Sequence, residues 1–279
     1  MNKAITAGLI FLFTLAVYQP AFAGPAEDRR AFVAYFESRF PDIPFAEYAN
    51  GIYAIDQDAR NQWIEIEEFP PYEFAVDQGE SLWQEKFADG KGYSDCFNSS
   101  KAGVRQNYPR VDGLSGEVIT LDMAINLCRE QHGQKSFEFG SEEILALSAY
   151  IAFESRGNVF NIIVAEDDPQ ALAAYEEGKR FYYSKRGQLN LSCADCHVAS
   201  AGQYVRADRL SSSLGHPTHF PVYRSKFGSM LSLHQRVAGC IRDVRAKPFD
   251  LQSPEYRNLE YFLTYMSNGL EANGPGARK

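Results

Sequence analysis

The chain has 279 residues and a formal net charge of −8, and 45% of its residues are hydrophobic. This composition is ordinary for a globular protein, and the length is sufficient for two small domains. The excess of acidic residues argues against nucleic acid as a partner. Beyond the N-terminal leader, no apolar run approaches the roughly 18 residues that a membrane helix requires, so we expect no membrane span.

Residues 1–23 have the pattern of a cleaved secretory signal. Lys3 precedes an apolar stretch from Ala7 to Tyr18, and Ala-Phe-Ala at 21–23 is a small-x-small cleavage site. The apolar stretch is too short for a stable membrane helix. The pattern predicts export, cleavage near Ala23 and a periplasmic location.

The remaining chain is predicted to be mostly helical and to contain an internal repeat. A helix from Glu27 to Phe40 precedes the repeat. Residues 79–83 then parallel residues 178–182, and about a dozen residues later Asp-Cys-Phe at 95–97 parallels Asp-Cys-His at 195–197. Each half therefore opens with the same two elements.

The second of these elements carries Cys-Ala-Asp-Cys-His at 193–197, which is the attachment motif of a c-type haem. Cys193 and Cys196 stand one helical turn apart and can add to the two vinyl groups of the porphyrin, while His197 is placed to bind the iron as proximal ligand. A thioredoxin-like dithiol would require a βαβ context, and a zinc site would require a further Cys/His pair at ligand spacing. The sequence favours covalent haem c over both.

The first copy has lost this motif. Tyr93 and Phe97 occupy the positions of Cys193 and His197, so neither the first thioether nor the proximal ligand can form. We therefore predict one covalently bound haem c per chain.

Farther along the chain, the two halves continue to match, but the number of residues that separates the matched positions changes. Residues 121–128 match 233–240, and each segment ends in a cysteine. An amphipathic run follows in each half and ends at a glycine, Gly157 or Gly269. Each half thus has the helices of a small c-type cytochrome domain.

The predicted fold class is mostly α, with two tandem cytochrome c-like domains, the N-terminal one without haem. The first domain comprises residues 24–164 and includes the N-terminal extension, and the second comprises residues 165–279. The acidic segment 165–169 is the predicted linker, and the tail from Asn273 to Lys279 is expected to be disordered.

Two thioethers leave Cys96, Cys128 and Cys240, an odd number for an oxidising compartment. If Cys128 once faced a haem as Cys240 does now, loss of that haem would leave Cys96 and Cys128 on opposite walls of a pocket that can collapse. We expect a disulfide between them, with two free buried thiols as the alternative. Cys240 remains a lone thiol.

The sequence that follows His197 offers six candidates for the sixth iron ligand: His216, His219, Met230, His234, Cys240 and Met266. Met230 is the kind of loop methionine that an electron-carrier cytochrome uses. Met266 lies in an apolar helix and is expected in the core, and the two histidines beside Pro217 are expected at the surface or next to a ligand. Cys240 is preferred because the other half keeps a cysteine at the same position, and His234 lies on a different face of that helix.

Arg236 precedes Cys240 by four residues and shares its helix face. A guanidinium there can stabilise a thiolate and bind an oxyanion through a planar fork. The segment from Arg206 to Lys247 is rich in basic residues, which suggests an anion site, with solvated helix faces as the alternative. An exposed salt bridge is the alternative for Arg236.

Three segments carry a resemblance to a known family: Phe-Pro-Val-Tyr-Arg at 220–224, Leu-His-Gln-Arg-Val-Ala-Gly-Cys at 233–240 and Val-Arg-Ala-Lys-Pro-Phe at 244–249. With the haem motif, they resemble the SoxA family of the SoxAX cytochromes of bacterial thiosulfate oxidation. The likeness covers essentially the whole mature chain, and its Arg-x-x-x-Cys element is specific. Tyr93 and Phe97 depart from the two-haem members, so the chain resembles the single-haem branch, in which a disulfide replaces the first haem.

The resemblance implies an L-cysteine S-thiosulfotransferase that works as a heterodimer with a small haem subunit, SoxX. Such enzymes join thiosulfate to a cysteine of the SoxYZ carrier protein and pass two electrons to a cytochrome c acceptor. For this chain it implies His197 as proximal ligand and Cys240 as distal ligand, modified as a persulfide. Arg236 would bind thiosulfate.

Two other functions stay open at this stage. A simple electron-transfer cytochrome would use Met230 as its ligand. A thiosulfate dehydrogenase would couple two thiosulfates to tetrathionate without a carrier protein.

Overall fold

The structure, a computed structural model, describes residues 24–99 and 102–278, so the predicted signal peptide lies outside the described residues. The described α-helices are α1 Pro25–Arg39, α2 Gln57–Ile66, α3 Glu73–Gln84, α4 Tyr93–Cys96, α5 Leu121–Gln131, α6 Glu142–Glu154, α7 Pro169–Tyr183, α8 Leu233–Asp243 and α9 Pro254–Met266. The strands are β1 Arg110–Val111, β2 Val118–Ile119, β3 Tyr204–Val205, β4 Asp208–Arg209, β5 Val222–Arg224, β6 Ser229–Leu231 and β7 Gly276–Arg278. Helices dominate, as predicted, and none that the structure describes is long and apolar enough to cross a membrane.

Each half is centred on two crossing helices, α3 with α6 and α7 with α9. A glycine stands at each crossing. A Cβ on Gly79 would lie 2.1 Å from the carbonyl oxygen of Ala146, and a Cβ on Gly178 would lie 2.0 Å from that of Asn258. Only glycine permits this approach of two backbones. The repeat seen in the sequence is therefore also a repeat in packing.

Helices α5 and α8 begin at equivalent residues because each has a hydroxyl N-cap. The backbone N–H of Met123 donates to Thr120 Oγ1 at 3.2 Å, and that of Gln235 donates to Ser232 Oγ at 3.2 Å. Such caps satisfy amide groups that the first helical turn leaves without partners. They place the cysteine of each helix at the same distance from its start.

The N-terminal extension packs on the C-terminal half. The Tyr35 hydroxyl of α1 donates to the Val198 carbonyl at 3.1 Å, and the Arg39 guanidinium donates to the Ala201 carbonyl at 2.8 Å. Phe32 and Phe36 join the core of that half. The division at residues 164 and 165 stays a prediction, and α1 contacts the second of those predicted domains.

The expectation of a disordered C-terminal tail was wrong. Residues 276–278 form β7, which pairs in parallel with β5, and the Tyr53 hydroxyl donates to the Ala277 carbonyl at 2.9 Å. The Arg278 guanidinium lies 4.3 Å from the centre of the Tyr53 ring. Pairing with a strand that is distant in sequence orders the backbone of residues 276–278, and no local pattern in the tail indicates such pairing.

Candidate functional site

The haem motif lies on a short helical turn that ends in the π-helical segment Asp195–Ala199. The turn starts at Ser192 because its side chain and that of Asp195 cap each other. Asp195 Oδ2 accepts from the Ser192 backbone N–H at 2.8 Å, and Ser192 Oγ accepts from the Asp195 backbone N–H at 3.1 Å. Cys193 and Cys196 are both half-buried and unbridged on this turn.

His197 is held in one orientation by its backbone surroundings. Its Nδ1 lies 3.0 Å from the carbonyl oxygen of Ser211, which leaves Nε2 free for a metal ion. Burial lowers the pKa of His197 to about 4, so the imidazole is neutral near pH 7 and can act as a ligand. The ring of His216 packs edge-on against it with the centroids 4.4 Å apart.

Cys240 and Arg236 form a second element of the site on α8. Arg236 Nη1 donates to Cys240 Sγ at 3.0 Å, as expected for residues one helical turn apart. Burial raises the pKa of Cys193 to about 12; Arg186 opposes the rise, and Cys240 adds to it. Burial and then Cys240 also raise the pKa of Cys196. The sulfur of Cys240 therefore lies within the electrostatic influence of both cysteines of the motif.

The other candidate ligands lie elsewhere. His234 is buried on another face of α8, with Nε2 3.1 Å from Glu260 Oε2. Met266 is in the core of the C-terminal half, and Met230 packs against the core of the N-terminal half. His219 is buried beside Phe220, so a surface position was wrong for it.

The residues present fit a c-type haem. The two half-buried, unbridged thiols of the motif can add to the vinyl groups of a haem, and the imidazole of His197, with its Nδ1 fixed, can bind the iron. Buried nitrogens of Arg186 and Arg224 have no hydrogen-bond partner, which suits sites for anions such as the propionates of a haem. Of these, Arg224 lies within the electrostatic influence of both Arg236 and Cys240.

The equivalent region of the N-terminal half is closed by side chains. Trp83 stacks on Tyr93 and on Phe97, with ring centroids 6.0 and 5.7 Å apart. Cys96 and Cys128 form a disulfide with a Cα separation of 5.8 Å. Aromatic rings thus occupy the positions at which the other half carries its haem motif.

Sequence reasoning placed two residues of the site only loosely and missed a third residue near the disulfide. His216 was expected at the surface or next to a ligand, and the structure places it next to His197. Arg224 was noted in a basic stretch and in the segment at 220–224, without a role of its own. His132 was overlooked, although it follows Cys128 by four residues, a spacing that brings two side chains to one helix face.

Comparison with known proteins gives the family. The SoxA/TsdA cytochrome c domain matches residues 78–160 and 177–272. The L-cysteine S-thiosulfotransferase subunit SoxA of Allochromatium vinosum is 55% identical over 95% of this chain and 94% of its own length. That of Chlorobaculum tepidum is 46% identical over 100% of this chain and 99% of its own length.

A solved structure has the same fold. The crystal structure of SoxXA from P. pantotrophus aligns with a TM-score of 0.70 and 32% identity, covering 80% of this chain and 84% of its own. Fold, haem motif and sequence identity agree along nearly the whole length. The chain therefore belongs to the SoxA family of L-cysteine S-thiosulfotransferase subunits.

Proposed function

We propose that the protein is a periplasmic cytochrome with one haem c that conjugates thiosulfate to a cysteine of a SoxYZ carrier and passes the electrons to a cytochrome c. The observation that carries this proposal is the 3.0 Å contact between Arg236 and the free sulfur of Cys240, a sulfur within the electrostatic influence of both cysteines of the haem motif. The family name and the thiosulfate-binding chemistry of a guanidinium agree with it.

Cys193 and Cys196 would hold the haem covalently, and His197 and Cys240 would bind its iron. A haem held in this way accepts one electron at a time, so a two-electron oxidation fits a second haem in a partner subunit. The solved neighbour is a SoxXA complex, which supports a heterodimer with a SoxX-like subunit.

Arg236 would bind the sulfonate oxygens of thiosulfate and hold its outer sulfur beside Cys240. A persulfide on Cys240 would form a sulfur–sulfur bond to thiosulfate with release of two electrons. The carrier thiolate would then attack the thiosulfate sulfur, and the Cys240 persulfide would leave as an anion. Arg236 would stabilise that anion, because its Nη1 already donates to the Cys240 sulfur.

The test is reconstitution of the haem-loaded chain with a SoxX subunit, the SoxYZ carrier, thiosulfate and oxidised cytochrome c. We expect the carrier to gain the mass of one thiosulfate. Two cytochrome c molecules should be reduced for each conjugate that forms. Tetrathionate formation without any carrier would instead support a thiosulfate dehydrogenase. Electron transfer to cytochrome c from the chemically pre-reduced chain, with neither product formed from thiosulfate, would support a simple electron carrier.

The same protein is used to check the number of haems per chain and the cellular location of the chain. A pyridine haemochrome assay is expected to give one haem per chain, and two would contradict the reading of Tyr93 and Phe97. Mass spectrometry of the exported protein is expected to find Gly24 at its N-terminus, and an uncut leader would argue against the periplasm.

A further inference from the structure

The N-terminal half contains a cluster of metal-binding side chains away from the candidate site. The sulfurs of Cys96 and Cys128 and a ring nitrogen of His132 lie within 4.8 Å of one another. Cys128 is buried, and the side chain of His132 is only 13% exposed. None of the three has a role in the reaction proposed above.

The fold brings these ligands together from two helices. Cys128 lies in the last turns of α5 and His132 caps its C-terminus, four residues later. Cys96 ends α4, which packs against α5. In the C-terminal half the residue four positions after Cys240 is Val244, so the imidazole is a feature of the N-terminal half alone.

The surroundings of His132 are those of a metal-binding histidine. Its Nδ1 lies 2.6 Å from Asp89 Oδ2, and its ring stacks on Phe87 with the centroids 5.3 Å apart. A carboxylate on one ring nitrogen fixes the tautomer and makes the other nitrogen a better ligand. Asp89 and Phe87 therefore restrict the ring before any ion arrives.

We propose that reduction of the Cys96–Cys128 disulfide creates a zinc site formed by Cys96, Cys128 and His132. A dithiol reductant supplies two electrons and two protons to the disulfide and is itself oxidised to a disulfide. A zinc ion then binds the two sulfurs and displaces both thiol protons. The fourth position of the tetrahedron is left to water, because these residues provide three ligands.

The distances suit this ion. Zinc–sulfur bonds of about 2.3 Å place two ligand sulfurs roughly 3.8 Å apart in a tetrahedron. The Cα atoms of the two cysteines are 5.8 Å apart, so rotation of the side chains supplies that separation. In the oxidised protein the sulfurs are bonded to each other and offer no thiolate, so zinc binding depends on the redox state.

The experiment uses the full haem-loaded chain, oxidised or reduced with dithiothreitol and freed of reductant under anaerobic conditions. Each form is incubated with zinc chloride, desalted and analysed by elemental mass spectrometry and zinc K-edge X-ray absorption, to which haem iron does not contribute. We expect one more zinc per reduced chain than per oxidised chain, with two sulfurs and at least one imidazole in its shell. Equal zinc in both forms would overturn the proposal.

Two variants separate this site from other thiols. His132→Asn is expected to weaken zinc binding by at least tenfold in the reduced chain, whereas Cys240→Ala should retain it. Unchanged binding in His132→Asn, or loss in Cys240→Ala, would overturn the assignment. Reduction could also unfold this half, and a second measurement covers that case. Zinc added before the reductant is expected to preserve the near-ultraviolet circular dichroism of the parent chain but not that of His132→Asn. Equal loss of the signal in both proteins would count against the site.

Discussion

In the C-terminal half, the sulfur of Cys240 is not part of a disulfide, whereas Cys128, at the same helix position of the N-terminal half, is bonded to Cys96. The residue one turn before Cys240 is Arg236, and the residue one turn before Cys128 is Ala124. The crossing helices and their glycines are retained in both halves. The comparison teaches that the two halves share a scaffold, whereas the chemistry depends on which side chains occupy a few equivalent positions on it.

The largest effect is expected for Cys240→Met, which leaves a possible iron ligand but removes the exchangeable sulfur. A thioether cannot form a persulfide or a mixed disulfide, so conjugation of thiosulfate to the carrier should fall by a factor on the order of 10³ or more. The variant should remain folded, haem-loaded and reducible. The carrier-mass assay measures the loss, and retained wild-type conjugation would make Cys240 a ligand only.

The second prediction concerns the disulfide, which only the N-terminal half of the comparison contains. Replacing Cys96 and Cys128 together by Ala removes a cross-link between residues 32 positions apart. In the chain-entropy model such a loop is worth about 3.5 to 4 kcal/mol, so the free energy of unfolding should fall by that amount. Denaturant unfolding of the full chain, followed in the N-terminal half, measures this change in free energy. A loss below about 1 kcal/mol would mean that the aromatic cluster alone maintains this half.

Arg236→Ala tests the anion-binding side chain. A hydrogen bond to a charged group contributes about 1.5 to 3 kcal/mol, so the KM for thiosulfate should rise roughly 10- to 150-fold while the haem spectrum changes little. Arg242→Ala is the matched control, because Arg242 is exposed on the same helix. Equal kinetics of the two variants would reduce Arg236 to a surface charge.

The smallest effect is expected at the helix crossings, and it should be alike in the two halves. Gly79→Ala and Gly178→Ala each force a Cβ against a backbone carbonyl, which should lower the free energy of unfolding by about 1 to 3 kcal/mol. Gly113→Ala is the control, because a Cβ there meets nothing within 4 Å. A large loss in only one half would show that the two crossings are not equivalent in energy.

Local patterns predicted the parts of the fold that are set by neighbouring residues. The matched segments 121–128 and 233–240 lie in α5 and α8 with their cysteines at equivalent positions, and the contact of Arg236 with Cys240 follows from helical periodicity. Contacts between distant segments were not predictable from such patterns. The pairing of β7 with β5 and the packing of His216 on His197 depend on tertiary structure, which leaves no periodic signal in a loop or a tail.

The most direct test of the central claim is mass spectrometry of the peptide that contains Cys240, isolated without reductant after exposure of the oxidised heterodimer to thiosulfate in the absence of carrier. The account predicts sulfur bound to Cys240, as a persulfide before thiosulfate is added and as a thiosulfate adduct afterwards, and removal of the adduct when carrier is supplied. An unmodified Cys240 in an enzyme that still conjugates thiosulfate to its carrier would contradict it.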